Sequence, residues 1–198
     1  EETQRRVLRY TLQFNTFAAL PASTPGGGPN VLLLNPVDPP TSDADTGPSF
    51  ANAAIRDAYY EQVACLATMT PDYLVLGPEL NFLVAARYDE FQRFSAVYRV
   101  AYDLVKSISP DTQVGSSWQY DALRPNLAAG IGETYIEDLG PQDFIGLTTY
   151  FGYSDSNAAT YPTPLHVPLD YYRFVRSRFG TKPVVLTEVG WSSANAGG

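Results

Sequence analysis

Two glutamates are the residues of this chain best placed to do chemistry. Glu79 ends the run Asp72-Tyr73-Leu74-Val75-Leu76-Gly77-Pro78, and Glu188 ends Lys182-Pro183-Val184-Val185-Leu186-Thr187, with Val189-Gly190-Trp191 after it. Leu74 to Leu76 and Val184 to Leu186 show no polar alternation, the pattern of a parallel strand covered on both faces. A carboxylate at the C-terminal end of such a strand lies where α/β folds assemble their active sites. Two of them can divide the breaking of a glycosidic bond, one as proton donor and the other as nucleophile or base. The pair is 109 residues apart, so only tertiary structure can bring it together. The plainer alternatives are a helix-start carboxylate favoured by the dipole for Glu79 and a salt-bridge partner at the sheet end for Glu188.

Most other chemistries lack the residues they need. Cys65 is the only cysteine and His166 the only histidine, which excludes an intrachain disulfide, a thiolate metal site and a His-rich metal site. A Ser-His-Asp triad could use only His166, which sits between Pro164 and Pro168, and no nucleophile-elbow motif is present. Gly26-Gly27-Gly28 lacks the Lys-Ser/Thr of a phosphate-binding loop. A net charge of −8 argues against a nucleic-acid partner and suits an uncharged substrate. No run of 18 apolar residues exists, so no membrane span is expected. The polar start Glu1-Glu2-Thr3-Gln4-Arg5-Arg6 is not a signal peptide. A removed leader stays open, with a secreted or periplasmic location favoured.

The elements that must position the two carboxylates follow from periodicity. With 198 residues, 44% of them hydrophobic, the chain can build one substantial core, and no linker divides it, so residues 1–198 are expected to form a single domain. Val7 to Phe14 reads as a strand. A Pro- and Gly-rich connection from Asn15 to about Phe50 follows, within which Val31 to Leu34 could form a short strand; loops this long are commonly functional. Helices are predicted over 51–69, 89–107 and 170–178, with one or two short ones between 122 and 139 and Gly180 as a C-terminal cap. Strands are predicted over 72–79, 112–118, 143–150 and 182–188. Strict alternation of this kind implies a parallel sheet with right-handed crossovers.

The strand ends carry side chains suited to sugars. Tyr150 ends the strand next to that of Glu188 and could donate to its carboxylate or pack at the rim. Trp118 and Trp191 follow strand ends and could stack on sugar rings or plug the sheet end. Gln119 and Tyr120 are weaker candidates for hydroxyl contacts. Asp143 opens its strand at the far end and reads as structural.

In this order, "YLVLGPELN", "TQVGSSWQY", "DFIGLTTY" and "KPVVLTEVGWSS" resemble the fourth to seventh strands of the clan of retaining glycoside hydrolases built on TIM barrels. Val7 to Phe14 is then similar to the third strand. The resemblance implies Glu79 as acid/base and Glu188 as nucleophile, a β-linked oligosaccharide or polysaccharide as substrate, and no cofactor or metal. The clan usually has Asn before the acid/base glutamate to contact the sugar 2-hydroxyl. Here Pro78 holds that position, and Asn81, two residues after the glutamate, is the nearest asparagine. A full barrel has eight strands in about 250 residues. This chain is expected to form an incomplete one of about five strands, lacking the first, second and eighth, with open edges that a homo-oligomer could cover. A non-catalytic carbohydrate-binding or interaction module derived from such a barrel is the alternative.

Overall fold

The computed structural model describes residues 13–14, 33–34, 49–130, 134–150 and 164–190. The elements run β1 (Gln13–Phe14), β2 (Leu33–Leu34), α1 (Ala53–Ala67), β3 (Tyr73–Val75), α2 (Leu80–Ala86), α3 (Tyr88–Ile108), β4 (Gln113–Gln119), α4 (Tyr120–Ala128), α5 (Thr134–Asp138), β5 (Phe144–Tyr150), a 3₁₀ turn (Pro164–His166), α6 (Arg173–Phe179) and β6 (Val184–Gly190). Strands β3, β4, β5 and β6 lie side by side in chain order, every neighbouring pair parallel. They form a curled, open α/β half-barrel sheet.

The sequence pattern leads to an expectation of about five strands in one sheet. Among the described residues that sheet has four, and β1 pairs in parallel with β2 as a separate two-stranded unit. The rest of the strand expected over Val7 to Phe14, and most of the connection to Phe50, lie outside the described residues. So do residues 131–133, the greater part of the Phe151–Pro168 loop, and Trp191.

Local chemistry fixes the element ends. Asn52 is extended (φ −81°, ψ 124°) and its side chain accepts from the Ala54 amide, so α1 starts at Ala53 and not at Ala51. Tyr59, Val63 and Ala67, four residues apart, form its buried face. Helix α3 buries Phe91, Phe94, Val97, Tyr98, Ala101 and Val105. Its first turn also buries the Glu90 carboxylate, which accepts from the Phe50 amide (2.5 Å), the Ser49 hydroxyl (2.9 Å) and Arg93 (2.8 Å). A buried charge satisfied in this way ties the segment before α1 onto α3. Helix α2, which the sequence pattern did not mark, begins directly after Glu79. The core among the described residues joins α1, α2 and α3 to one face of the sheet through Leu74, Leu76, Val114, Trp118, Ile145 and Leu147.

Strand β5 is held at its start by Asp143. That carboxylate accepts from Tyr102 (2.8 Å) and the Val114 amide (2.9 Å) and pairs with Lys106 Nζ at 2.5 Å. Burial alone would raise the Asp143 carboxyl, but these donors outweigh it and hold it below its ordinary value. The same arrangement, burial first and the bond to Asp143 second, pushes the Tyr102 phenol up to about 12. No described helix is long and apolar enough to cross a membrane.

Candidate active site

Glu79 sits at a turn that the sheet itself builds. The β3–β4 ladder continues past Val75, with the Leu76 amide donating to Gly115 O (2.7 Å) and the Ser117 amide to Gly77 O (3.0 Å). Gly77 has φ +83°, and a Cβ there would lie 2.8 Å from Phe94 Cζ, so the close approach of α3 and the turn both require glycine. Buried Pro78 follows, and Glu79 adopts a left-handed conformation (φ 48°, ψ 41°) at the start of α2. It makes no side-chain cap to that helix. Its carboxylate instead reaches across β4 to β5, where the Thr148 hydroxyl donates to Oε1 at 2.6 Å. The Glu79 amide donates back to Ser117 Oγ at 3.3 Å. The position is a helix start, but the side chain is not used as one.

Glu188 reaches the same place through an irregularity. Leu147 is the register partner of Leu186, yet the next β5 residue, Thr148, is the partner of Glu188. Strand β6 therefore carries one extra residue, Thr187, whose hydroxyl donates to Leu147 O at 3.0 Å. Side chains alternate along a strand, so a regular ladder over Thr187 would turn Glu188 to the face of Thr149. The bulge turns it to the face of Thr148. Thr148, fully buried, thus contacts Glu79 directly and stands beside Glu188 on the neighbouring strand. The Tyr150 hydroxyl, two residues on and on the same face, donates to Glu188 Oε2. Glu79, Glu188 and Tyr150 are each half-buried.

The other residues expected at the site have different surroundings. Trp118 is 0% exposed. Its ring packs on Phe91 of α3 and Tyr135 beside it in α5, at 6.5 and 5.6 Å between centroids. Ser117 and Trp118 are neighbours in β4 and must face opposite ways. Ser117 takes the side of Glu79, which sends Trp118 into the helical layer as a core residue and not a sugar platform. Asn81 is also buried, with its Oδ1 accepting from the Gln119 amide (2.8 Å) and its Nδ2 donating to Gln119 O (3.4 Å). It acts as a surrogate strand residue that prolongs the β3–β4 pairing, so its amide is committed to backbone. The Gln119 side chain caps α4, accepting from Ala122 N at 2.7 Å, and donates to Asp121 at 3.0 Å. Burial pushes the Tyr120 phenol up to about 12, and it donates to Tyr171 O at 2.6 Å.

Asp121 escaped the sequence reading. It lies in the first turn of α4, where an acidic residue is ordinary. Its carboxylate nonetheless accepts from Tyr171 Oη (2.5 Å), Thr149 Oγ1 (3.1 Å) and the Tyr150 amide (3.0 Å). Only the strand following the next helix reveals that role, so no local pattern could have given it.

At the C-terminal edge of the sheet lie two carboxylates, a threonine hydroxyl on one of them and a phenol on the other. Such a set can donate and accept protons and present an oriented carboxylate to an electrophile. Among the described residues no three His, Cys, Asp or Glu side chains group as a metal-ligand set. No protein-family model and no curated protein matches the chain.

Proposed function

We propose that the chain is a glycoside hydrolase that cleaves β-glycosidic bonds with retention, built on an open portion of a TIM-type (β/α) barrel. Glu188 is the nucleophile and Glu79 the acid/base. One observation carries the reading: Thr148 donates to Glu79 at 2.6 Å and is the register partner of Glu188. Adjacent strands are about 4.8 Å apart. One carboxylate on Thr148 and the other a strand away on the same face support the close pair, ~5–5.5 Å apart, that a covalent glycosyl intermediate requires.

The residues divide the reaction as follows. Glu188, oriented by the Tyr150 hydroxyl, attacks the anomeric carbon while Glu79 passes its proton to the departing glycosidic oxygen. The Glu79 carboxylate then takes a proton from water, which opens the glycosyl ester on Glu188. Thr148 donates to Glu79 Oε1, which leaves Oε2 as the oxygen that carries the transferred proton. The substrate is a β-linked oligosaccharide or polysaccharide. A non-catalytic carbohydrate-binding module is the second reading, favoured by the open sheet of four strands among the described residues.

A panel of chromogenic β-glycosides tested against wild type, Glu79→Gln and Glu188→Gln separates the two. Glu188→Gln is expected to abolish turnover and Glu79→Gln to slow it by about 10²–10⁴-fold, with the anomeric configuration of the first-formed product retained by NMR. Turnover that survives either substitution unchanged overturns the assignment. Sugar binding without turnover in wild type selects the module.

A further inference from the structure

We propose that Asp121 is a positioning residue for the Glu188 carboxylate, acting through Tyr150. Its consequence for catalysis rests on the glycosidase reading; the positioning itself does not. Asp121 Oδ2 accepts from Gln119 Nε2 (3.0 Å), Thr149 Oγ1 (3.1 Å) and the Tyr150 amide (3.0 Å). Oδ1 accepts from Tyr171 Oη (2.5 Å) and more distantly from Thr149 Oγ1 (3.3 Å). The donors come from the end of β4, the end of β5 and the segment leading into α6. A first-turn aspartate that served its own helix would face that helix's amides. This one is turned to the neighbouring strand instead.

Tyr150 is the last residue of β5. Asp121 fixes its backbone there. The ring is fixed by a second feature: a Cβ on Gly190, the register partner of Tyr150, would fall on Cδ1 and Cε1 of that ring. Glycine at 190 is the slot in which the ring lies. With its backbone held by Asp121 and its ring in that slot, the Tyr150 hydroxyl is delivered to Glu188 Oε2. A carboxylate on α4 is thereby linked to one on β6 through a single residue of the strand between them.

The test reads the Tyr150–Glu188 contact directly. The protein is labelled with ¹³Cζ-tyrosine, the Tyr150 signal is assigned with Tyr150→Phe, and Glu188→Ala defines the shift on losing the contact. Asp121→Ala is expected to move the signal in the same direction and by a comparable amount, with Asp121→Asn as the milder variant if Ala impairs folding. Asp143→Ala removes a similarly bonded carboxylate at the opposite end of β5 and is expected to leave the signal where it is. Signals in both Asp121 variants that coincide with wild type, while Glu188→Ala moves, overturn the proposal. On an active β-glycoside, Asp121→Asn is expected to lower kcat about tenfold with KM unchanged, the loss of about one hydrogen bond to a charged group in the transition state. Should wild type hydrolyse no β-glycoside, the glycosidase reading fails, and the ¹³C shift alone still decides the positioning role.

Discussion

Glu79 holds its carboxylate in place at a conformational cost. A non-glycine residue at φ 48° is sparsely populated, and the surrounding contacts must compensate for about 1 kcal/mol or more. The compensation is visible in buried Pro78, the Glu79 amide on Ser117 Oγ, and the Thr148 hydroxyl on Oε1. Thr70, at φ 49° in the turn after α1, is the other non-glycine residue in this region among the described residues and lies at the opposite end of β3. The two positions make a matched experiment. Thr70→Gly should stabilise the protein by a few tenths to about 1 kcal/mol in urea unfolding, since the relief of strain exceeds the added chain entropy only modestly, and leave turnover unchanged. Glu79→Gly relieves the same strain but takes the carboxylate acceptor from the buried Thr148 hydroxyl, so it should be no more stable than wild type, and it should remove activity. A Glu79→Gly variant stabilised as much as Thr70→Gly would mean that the carboxylate contacts contribute nothing to offset the strain.

Strand β5 is the element on which the site depends, and it is held by a carboxylate at each end. At the far end Asp143 gathers Lys106, Tyr102 and the Val114 amide, and its carboxyl lies below its ordinary value. A carboxyl depressed in the folded state adds stability above its unfolded value, about 3.9, and loses it as pH falls through the folded value. Wild type should therefore lose thermal stability on acidification below about pH 4 more steeply than Asp143→Asn, which is expected to be about 1–3 kcal/mol less stable at neutral pH. Equal slopes for the two proteins would remove Asp143 from the acid response. How much of this was legible follows from the same strands. The apolar runs and their terminal glutamates were readable, because a strand buried on both faces leaves an unbroken signature. The face of each terminal side chain was not. Trp118 was read by its place at a strand end, and only the contact of Ser117 with Glu79 fixes which way β4 alternates. The bulge at Thr187 has no signature in Val184 to Gly190, since Thr and Val suit a regular strand equally well. Helix α2 carries none either, because its cap position is a glutamate whose side chain is used elsewhere.

For the molecule as a whole, the sheet order β3-β4-β5-β6 leaves two edges among the described residues. The consequences concentrate on β6. Leu186 shares a face with buried Leu147, and Val189 with buried Thr149, yet they are 47% and 56% exposed. The helical layer covers this face over β4 and β5 and reaches Val184 at the start of β6, but leaves it exposed at Leu186 and Val189. Unpaired backbone groups along an edge, next to exposed apolar side chains, are a template for pairing with a second chain. A homo-oligomer that joins these edges would hide both. Sedimentation velocity at rising protein concentration is expected to show reversible association of the wild type. Lysine at both Leu186 and Val189 places like charges on the approaching faces and should return the protein to a single monomeric species. Both side chains are already half in water, so the thermal midpoint should scarcely move. The site draws on Glu188, the bulge at Thr187 and the Gly190 slot of this strand, and Leu186 and Val189 point to the opposite face from Glu188, so turnover per chain should persist in the monomer. A double variant that associates as wild type does would place the contact elsewhere, and one that becomes monomeric and inactive would mean that the β6 edge completes the site across two copies.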